Sequence, residues 1–381
     1  MSISFQTVPS IESGLGKISI LPDVCNRLNI KKPIIVTDKG LFQLGLVEKL
    51  EKILEKNNIQ TCIYKDVLAD PPEHNIFDAV NLFEDFGADG VIGFGGGSSM
   101  DVAKAVSYFS INKISISECY GVNKLVNKRS PLIQIPTTAG TGSELTPIAI
   151  FTLESEQKMG IVDPLLYADY AILDADLTLG LPADITAYSG IDAMVHAIEA
   201  YTTKIKKNPI SDSLAKKALT LLGSNLHIAV NEPKNRVARE NMLLGSMLAG
   251  MAFANAPCAA VHALAYPIGA KFHVPHGLSN SLVLSKVLQF NSLKAENMYC
   301  EIAADCLPQL IGKKITIDDF IIGIEELIAD LKIPKCLKDV GITSNDIPKL
   351  AEDAMKQERL LVNNPRELKL KDAVSIYEAA L

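Results

Sequence analysis

Four side chains in the second half of the chain have the types and spacing to hold one divalent cation: Asp192 and His196 in GIDAMVHAIEAY, and His262 and His276 in HALAYPIGAKFHVPHG. On a helix, a residue and its fourth successor lie about 40° apart around the axis, so Asp192 and His196 face the same way. His262 and His276 bring the set to three imidazoles and one carboxylate. Such a set suits Fe(II) or Zn(II), is too rich in nitrogen for calcium or magnesium, and reads as a catalytic centre. Any one of these histidines taken singly is equally an ordinary core residue. The reading rests on the group.

Earlier in the chain, GVIGFGGGSSMDVAKAVSYF reads as a buried strand, a glycine turn and an amphipathic helix. Gly95, Gly96 and Gly97 put no Cβ atom in the way, so a pyrophosphate can approach the N–H groups of the turn, and the following helix adds its N-terminal dipole. Ser98 and Ser99 can cap that helix or donate to a phosphate oxygen. The spelling Gly93-x-Gly95-x-x-Ser98 departs from Gly-x-Gly-x-x-Gly, and no Lys-Ser or Lys-Thr follows as in a P-loop. A tight turn that needs glycine for positive φ would be spelled the same way. Asp38, at the end of PIIVTD, can accept hydrogen bonds from a ribose diol and repel a 2′-phosphate, which points to NAD over NADP. Like charges about 4 Å apart repel by roughly 1 to 4 kcal/mol at partly exposed dielectric, a preference and not an absolute block. Asp38 precedes the glycine turn, whereas the dinucleotide fingerprint places its acid after it; a solvated turn residue in TDKG is the plain alternative. In LIQIPTTAGTGSE, the hydroxyls of Thr137, Thr138, Thr141 and Ser143 can donate to phosphate, ribose or carboxamide, although ordinary turns carry the same residues.

These groups need a frame. Up to about residue 180, short β-branched runs (PIIVTD, TCIYKDV, GVIGFGG) alternate with helical periods near 46–56 and 75–86, the pattern of a parallel sheet with crossover helices. After LPADITAYSG the strands stop, and long helical patterns such as SDSLAKKALTLLGSNLHIAV take over. Pro182 marks the change, giving an α/β dinucleotide-binding domain over 1–181 and an all-helical, metal-binding and catalytic domain over 182–381, packed directly with a cleft between them. The apolar stretch from Leu248 to Ala270 is long enough to span a bilayer, but Asn255, Pro257 and His262 interrupt it, and a buried helix pair is expected there.

Composition excludes several classes. The 381 residues suffice for two cores. A net charge of -7 and a pI near 5.5 offer no basic stripe for nucleic acid. The seven cysteines are scattered without a Cys-x-x-Cys pair, as reduced cytoplasmic thiols would be. The start, MSISFQTVPSIESGLGK, has neither the charged n-region nor the apolar core of a secretory signal.

Taken in order, TDKG, GFGGGSSMDVAKA, PTTAGTGSE, the run from Pro182 through GIDAMVHAIEAY, and HALAYPIGAKFHVPHG resemble the iron-dependent (group III) alcohol dehydrogenase family nearly end to end. The resemblance implies a dehydroquinate synthase-like architecture, with metal and nicotinamide meeting in the cleft. It implies Asp192, His196, His262 and His276 as metal ligands, and Gly96, Gly97, Ser98, Thr137, Thr138, Thr141 and Lys158 as contacts of NAD(H). Small alcohols, diols and aldehydes are the implied substrates, with a homodimer or higher homo-oligomer, while the acidic charge and the interrupted apolar stretch point to no nucleic-acid or membrane partner.

Many members of the family carry a further histidine four residues after the third ligand, in a proton-transfer role; here that position is Tyr266, whose phenol, with an ordinary pKa near 10, is suited to shaping the pocket. His273 is a candidate substitute. Two prolines common in the family near Ala168 and Ala175 are absent. His74 and His227 read as structural, Phe253 as core or pocket wall, and Lys158, without the resemblance, as a solvated lysine. The competing readings are a glycerol dehydrogenase-like polyol oxidoreductase, a lyase of the dehydroquinate synthase type, and a nucleotide sensor without catalysis.

Overall fold

Ile34, Ile35 and Val36, with Val91 and Ile92 and with Leu132 and Ile133, are fully buried, as strands covered on both faces require. In the computed structural model, which describes residues 3–155 and 157–381, these runs join one six-stranded parallel sheet. Its strands are β1 (Ile11–Ser13), β2 (Pro33–Val36), β3 (Cys62–Tyr64), β4 (Gly90–Gly95), β6 (Leu132–Pro136) and β9 (Tyr170–Leu173), in the order β1-β9-β6-β4-β2-β3. The helices of this part are α1 (Leu21–Arg27), α2 (Lys39–Gln43), α3 (Leu46–Glu55), α4 (His74–Phe86), α5 (Gly97–Phe109) and α6 (Ile116–Cys119). From β2 the chain moves outward to β3 and then returns to the other side of β2 as β4. The direction of strand order therefore reverses between β2 and β4, and a doubly wound sheet opens its ligand crevice at the carboxyl ends of that pair.

A second sheet was not anticipated. β5 (Gly121–Val122), β8 (Lys158–Val162) and β7 (Ile148–Thr152) form it in that order, β5 parallel to β8 and β7 antiparallel to β8. The hairpin escapes a sequence reading because its connection, around LESEQ, has none of the Asn-Gly or Asp-Gly signals of tight hairpin turns.

Beyond Leu173 the described residues hold no strand. Here the helices are α7 (Ala183–Thr202), α8 (Pro209–Asn231), α9 (Arg236–Asn255), α10 (Ala260–Phe272), α11 (His276–Cys306), α12 (Ile317–Asp330), α13 (Ile347–Met355), α14 (Glu358–Leu361) and α15 (Leu370–Ala380). Two compact units result. The α/β unit is Gln6–Thr138 with Ser143–Leu179, and the helical unit is Gly180–Leu381 together with residues 3–5 and Ala139–Gly142. Within the helical unit, Gly142 has φ +58°, and a Cβ on it would lie 2.6 Å from the Cα of Gly250 on α9, so the close approach needs glycine on both sides.

The apolar stretch at 248–270 is a helix pair. No single helix among the described residues is long and apolar enough to cross a membrane, and α9 and α10 meet at 107° across the break between Asn255 and Ala260. That bend carries His262, near the start of α10, toward α7.

Candidate functional site

Three helices bring the four candidate ligands together. α7 supplies Asp192 and His196, α10 supplies His262, and α11 begins at His276. α11 can approach α7 because residue 277 is glycine: a Cβ there would sit 2.1 Å from the carbonyl oxygen of Tyr188. Asp192 Oδ1 lies 4.0, 3.7 and 3.5 Å from Nε2 of His196, His262 and His276, and all four donor atoms fall within 4.8 Å of one another. Four atoms each about 2.0–2.2 Å from a shared cation have similar mutual spacings, so the donor set fits a single Zn(II)- or Fe(II)-sized ion. Asp192, His196 and His262 are buried, while His276 keeps 27% of its side chain exposed and forms the accessible rim.

The electrostatics are those of a site built for a cation. Burial pushes the Asp192 carboxyl up, but the imidazoles of His196, His276 and His262 outweigh it and hold the group below its ordinary value. Burial, helped by repulsion from the other two rings, takes His196 down to about 3 despite Asp192, so its ring is neutral and its lone pair free for a metal at neutral pH. His262 is opposite. Burial disfavours its charged form, yet the Cys258 sulfur, the Glu199 carboxylate and Asp192 raise it well above the ordinary value. The two buried carboxylates, Glu199 and Asp192, thus favour positive charge at this point.

Glu199 and Asn280 complete this arrangement, and the sequence reading missed both. Glu199 Oε2 lies 2.6 Å from His262 Nδ1, and its Oε1 accepts the Val261 N–H at 2.7 Å. The carboxylate fixes the ring so that Nε2 turns to the other donors. Asn280 Nδ2 donates to Asp192 Oδ1 at 2.7 Å. Helical arithmetic carried the signal: Glu199 is seven residues after Asp192 and Asn280 four after His276, so each shares its helix face with a ligand.

Around the cluster the walls are apolar and aromatic. Phe253 stacks on His196 with centroids 4.3 Å apart, and the Tyr266 ring is tilted 5.8 Å from that of His276. Both also pack with Cys258, Ala263 and Leu360. His273 is exposed, in a left-handed conformation at the end of α10, and does not join the cluster. His74 and His227 are exposed on α4 and α8.

At the carboxyl edge of the sheet, β2, β4 and β6 run into Asp38, Gly96–Ser98 and Thr137–Thr138 respectively, the edge where the strand order reverses. Two glycines of the turn have different reasons. Gly95 has φ +152° and a Cβ on it would meet Ser99 Oγ at 2.7 Å, so the protein itself demands glycine there. A Cβ on Gly96 would meet Thr138 at 3.6 Å, an ordinary van der Waals contact, so packing alone does not demand glycine there. Gly97 begins α5, and among the described residues no side chain caps that helix. Ser98 and Ser99 therefore do not serve as its cap, which leaves the first-turn N–H groups for an anion.

Asp38 is half-buried and caps α2, its Oδ1 accepting from Leu41 N–H at 3.0 Å. Thr137 is buried and Thr138 half-buried, and Thr141 lies in the 139–142 segment of the helical unit. Lys158 is not the solvated lysine its local sequence suggests: it is buried in β8, with Nζ 2.6 Å from Asp70 Oδ1. Ser143 needs correction. Its hydroxyl donates to Asp101 Oδ1 at 2.6 Å and accepts from Lys104 Nζ at 2.6 Å, so it is committed inside the α/β unit and not offered to a ligand.

Glu144 lies beside that network, buried, with Oε1 meeting no hydrogen-bond partner among the described residues. Burial pushes its carboxyl up to about 7, against the pull of its own backbone N–H and of Lys104. Because the folded value exceeds the ordinary 4.5, the protonated form stabilises the fold below about pH 4.5, and that contribution is lost as pH rises through about 7. Glu144→Gln keeps the shape without the charge. By pH 8 the variant should be the more stable protein by roughly 3 kcal/mol, with little difference at pH 4.5. Denaturant unfolding at both pH values tests this, and parallel pH profiles for the two proteins would refute it.

Comparison with known proteins adds an independent line. A family model described as iron-containing alcohol dehydrogenase matches residues 9–175, and one described as the C-terminal part of the Fe-containing alcohol dehydrogenase family matches 186–381. The long-chain-alcohol dehydrogenase 1 of Geobacillus thermodenitrificans is 37% identical over 390 residues, covering 100% of this chain and 97% of that one. Among solved structures, a 1,3-propanediol oxidoreductase has a TM-score of 0.96 at 32% identity, covering 100% of both chains. A sulfoacetaldehyde reductase from Bifidobacterium kashiwanohense in complex with NAD+ has a TM-score of 0.90 at 29% identity, covering 100% of this chain and 99% of that one.

Proposed function

The chain belongs to the iron-containing alcohol dehydrogenase family, and on that premise we propose that Asp192, His196, His262 and His276 hold Fe(II) where a small alcohol exchanges a hydride with NAD. The observation that carries the reading is the convergence of these four donor atoms from three helices within 4.8 Å. When bound, the ion supplies Lewis acidity, which eases loss of the hydroxyl proton or polarises a carbonyl. The protein's own groups do the rest. Glu199 keeps the His262 lone pair aimed inward, His276 forms the open rim, and Phe253 and Tyr266 wall it with apolar surface that excludes water. At the sheet edge, the bare backbone of Gly96 and the uncapped start of α5 receive the pyrophosphate, and Asp38 favours a ribose diol over a 2′-phosphate.

The relatives' names span a long-chain alcohol, a diol and a sulfonated aldehyde. An aromatic wall of Phe253 and Tyr266 suits uncharged substrates, so small primary alcohols, diols and their aldehydes are the proposed class. We extend the proposal to Zn(II) as an alternative ion, because it binds such ligands more tightly than Fe(II), and to a cytoplasmic homodimer.

Metal-stripped protein, reloaded anaerobically with Fe(II) or Zn(II), tests the reading by nicotinamide absorbance across a panel of small alcohols and aldehydes. Turnover restored by one metal, with NAD preferred over NADP, is the expected result. Tight NAD binding without turnover under either metal would favour the sensor reading.

A further inference from the structure

Asn280 occupies an unusual place for a neutral side chain. It is fully buried on α11, four residues after His276. Its Nδ2 lies 2.7 Å from Asp192 Oδ1, 3.4 Å from His262 Nε2 and 3.5 Å from His276 Nε2, so one amide nitrogen touches three of the four donor atoms. Its Oδ1 is buried and has no hydrogen-bond partner among the described residues. A half-satisfied buried amide costs stability, and a leucine of similar volume would fill the same space without that cost. Packing therefore does not explain the residue. What leucine lacks is the N–H group.

We infer that Asn280 is a positioning residue for the metal centre: by donating to Asp192 Oδ1 it holds the carboxylate among the three imidazoles, so that the shell is assembled before an ion arrives. The amide hydrogen bond fixes which Asp192 oxygen faces the rings. Groups that orient metal ligands in this way typically change affinity 10–100-fold when removed. The inference rests on the metal reading above and deepens it.

The test uses the full-length protein, stripped of metal and titrated with Zn(II) against a chromogenic chelator, with Co(II) absorption as a second report on ligand geometry. Asn280→Leu fills the space but cannot donate; Asn280→Ala serves if the leucine variant does not fold. Thermal unfolding of each metal-free protein controls for structural damage. The expected result is a folded variant with roughly 10–100-fold weaker Zn(II) binding and an altered Co(II) spectrum. A folded variant with wild-type affinity and spectrum overturns the role of Asn280 while leaving the metal site standing. Failure of the wild-type protein itself to bind Zn(II) or Co(II) overturns the metal reading and, with it, this inference.

Discussion

His262→Ala should lose bound metal and turnover together while leaving NAD binding largely unchanged. His262 is held at both ring nitrogens: Nε2 faces Asp192 at 3.7 Å and Nδ1 is held by Glu199 at 2.6 Å. Removing it deletes a donor and leaves its anchor, Glu199, with no ring to hold. A Lewis acid lowers the reaction barrier by several kcal/mol, and at about 1.36 kcal/mol per tenfold its loss corresponds to a fall in turnover on the order of a thousandfold. The substitution also strands the buried Glu199 carboxylate, a separate source of instability. The double variant His262→Ala with Glu199→Gln removes that charge and isolates the ligand effect. Metal content by elemental analysis, turnover, and NAD affinity by titration decide the matter. Unchanged metal occupancy would take His262 out of the ligand set.

The second large effect lies in the α/β unit. Lys104→Met should destabilise the protein by about 3–5 kcal/mol, the usual cost of stranding the partner of a buried charge. Lys104 is fully buried on α5, and its Nζ reaches Ser143 Oγ and the Ile148 carbonyl, each at 2.6 Å, with Thr146 Oγ1 and Asp101 Oδ1 at 3.2 Å. Asp101 is on α5 itself, but Ser143, Thr146 and Ile148 come from the segment after the 139–142 loop and from β7, so the ammonium ties α5 to chain some forty residues away. Methionine matches the length but satisfies none of the acceptors, and Asp101 keeps its charge. Urea unfolding followed by circular dichroism measures the loss. A change below about 1 kcal/mol would mean that water replaces the ammonium, contrary to a dry network.

Much of the metal site is legible in the sequence because helical periodicity is local: Asp192 and His196 share a face by spacing alone. Glu199 obeyed the same arithmetic but sits in an apolar run, where a carboxylate shows its purpose only once α10 crosses it. The 107° bend that delivers His262 leaves no sequence sign beyond Asn255 and Pro257. The parallel sheet was readable from β-branched runs such as PIIV, whereas the β7–β8 hairpin has no turn signal. Ser143 and Thr138 look alike in PTTAGTGSE. Only the approach of Lys104 and Asp101, both distant in sequence, commits one hydroxyl internally. Gly95 and Gly96 are likewise indistinguishable by spelling, and differ in whether the protein's own atoms crowd the Cβ position.

The assignment of Ala139–Gly142 to the helical unit bears on the order in which the chain can be finished on the ribosome. Gly142 packs against Gly250 and Gly140 against Ser189, residues synthesised well after the tetrapeptide. When the strands of the large sheet have all emerged, these four residues still lack their neighbours, and the chain on either side of them is already committed to the other unit. At 5–20 residues per second, roughly 5–20 seconds pass before Gly250 follows. The tetrapeptide is therefore a segment whose native contacts form late, and no single cut in the chain yields two fragments each containing all of its own unit.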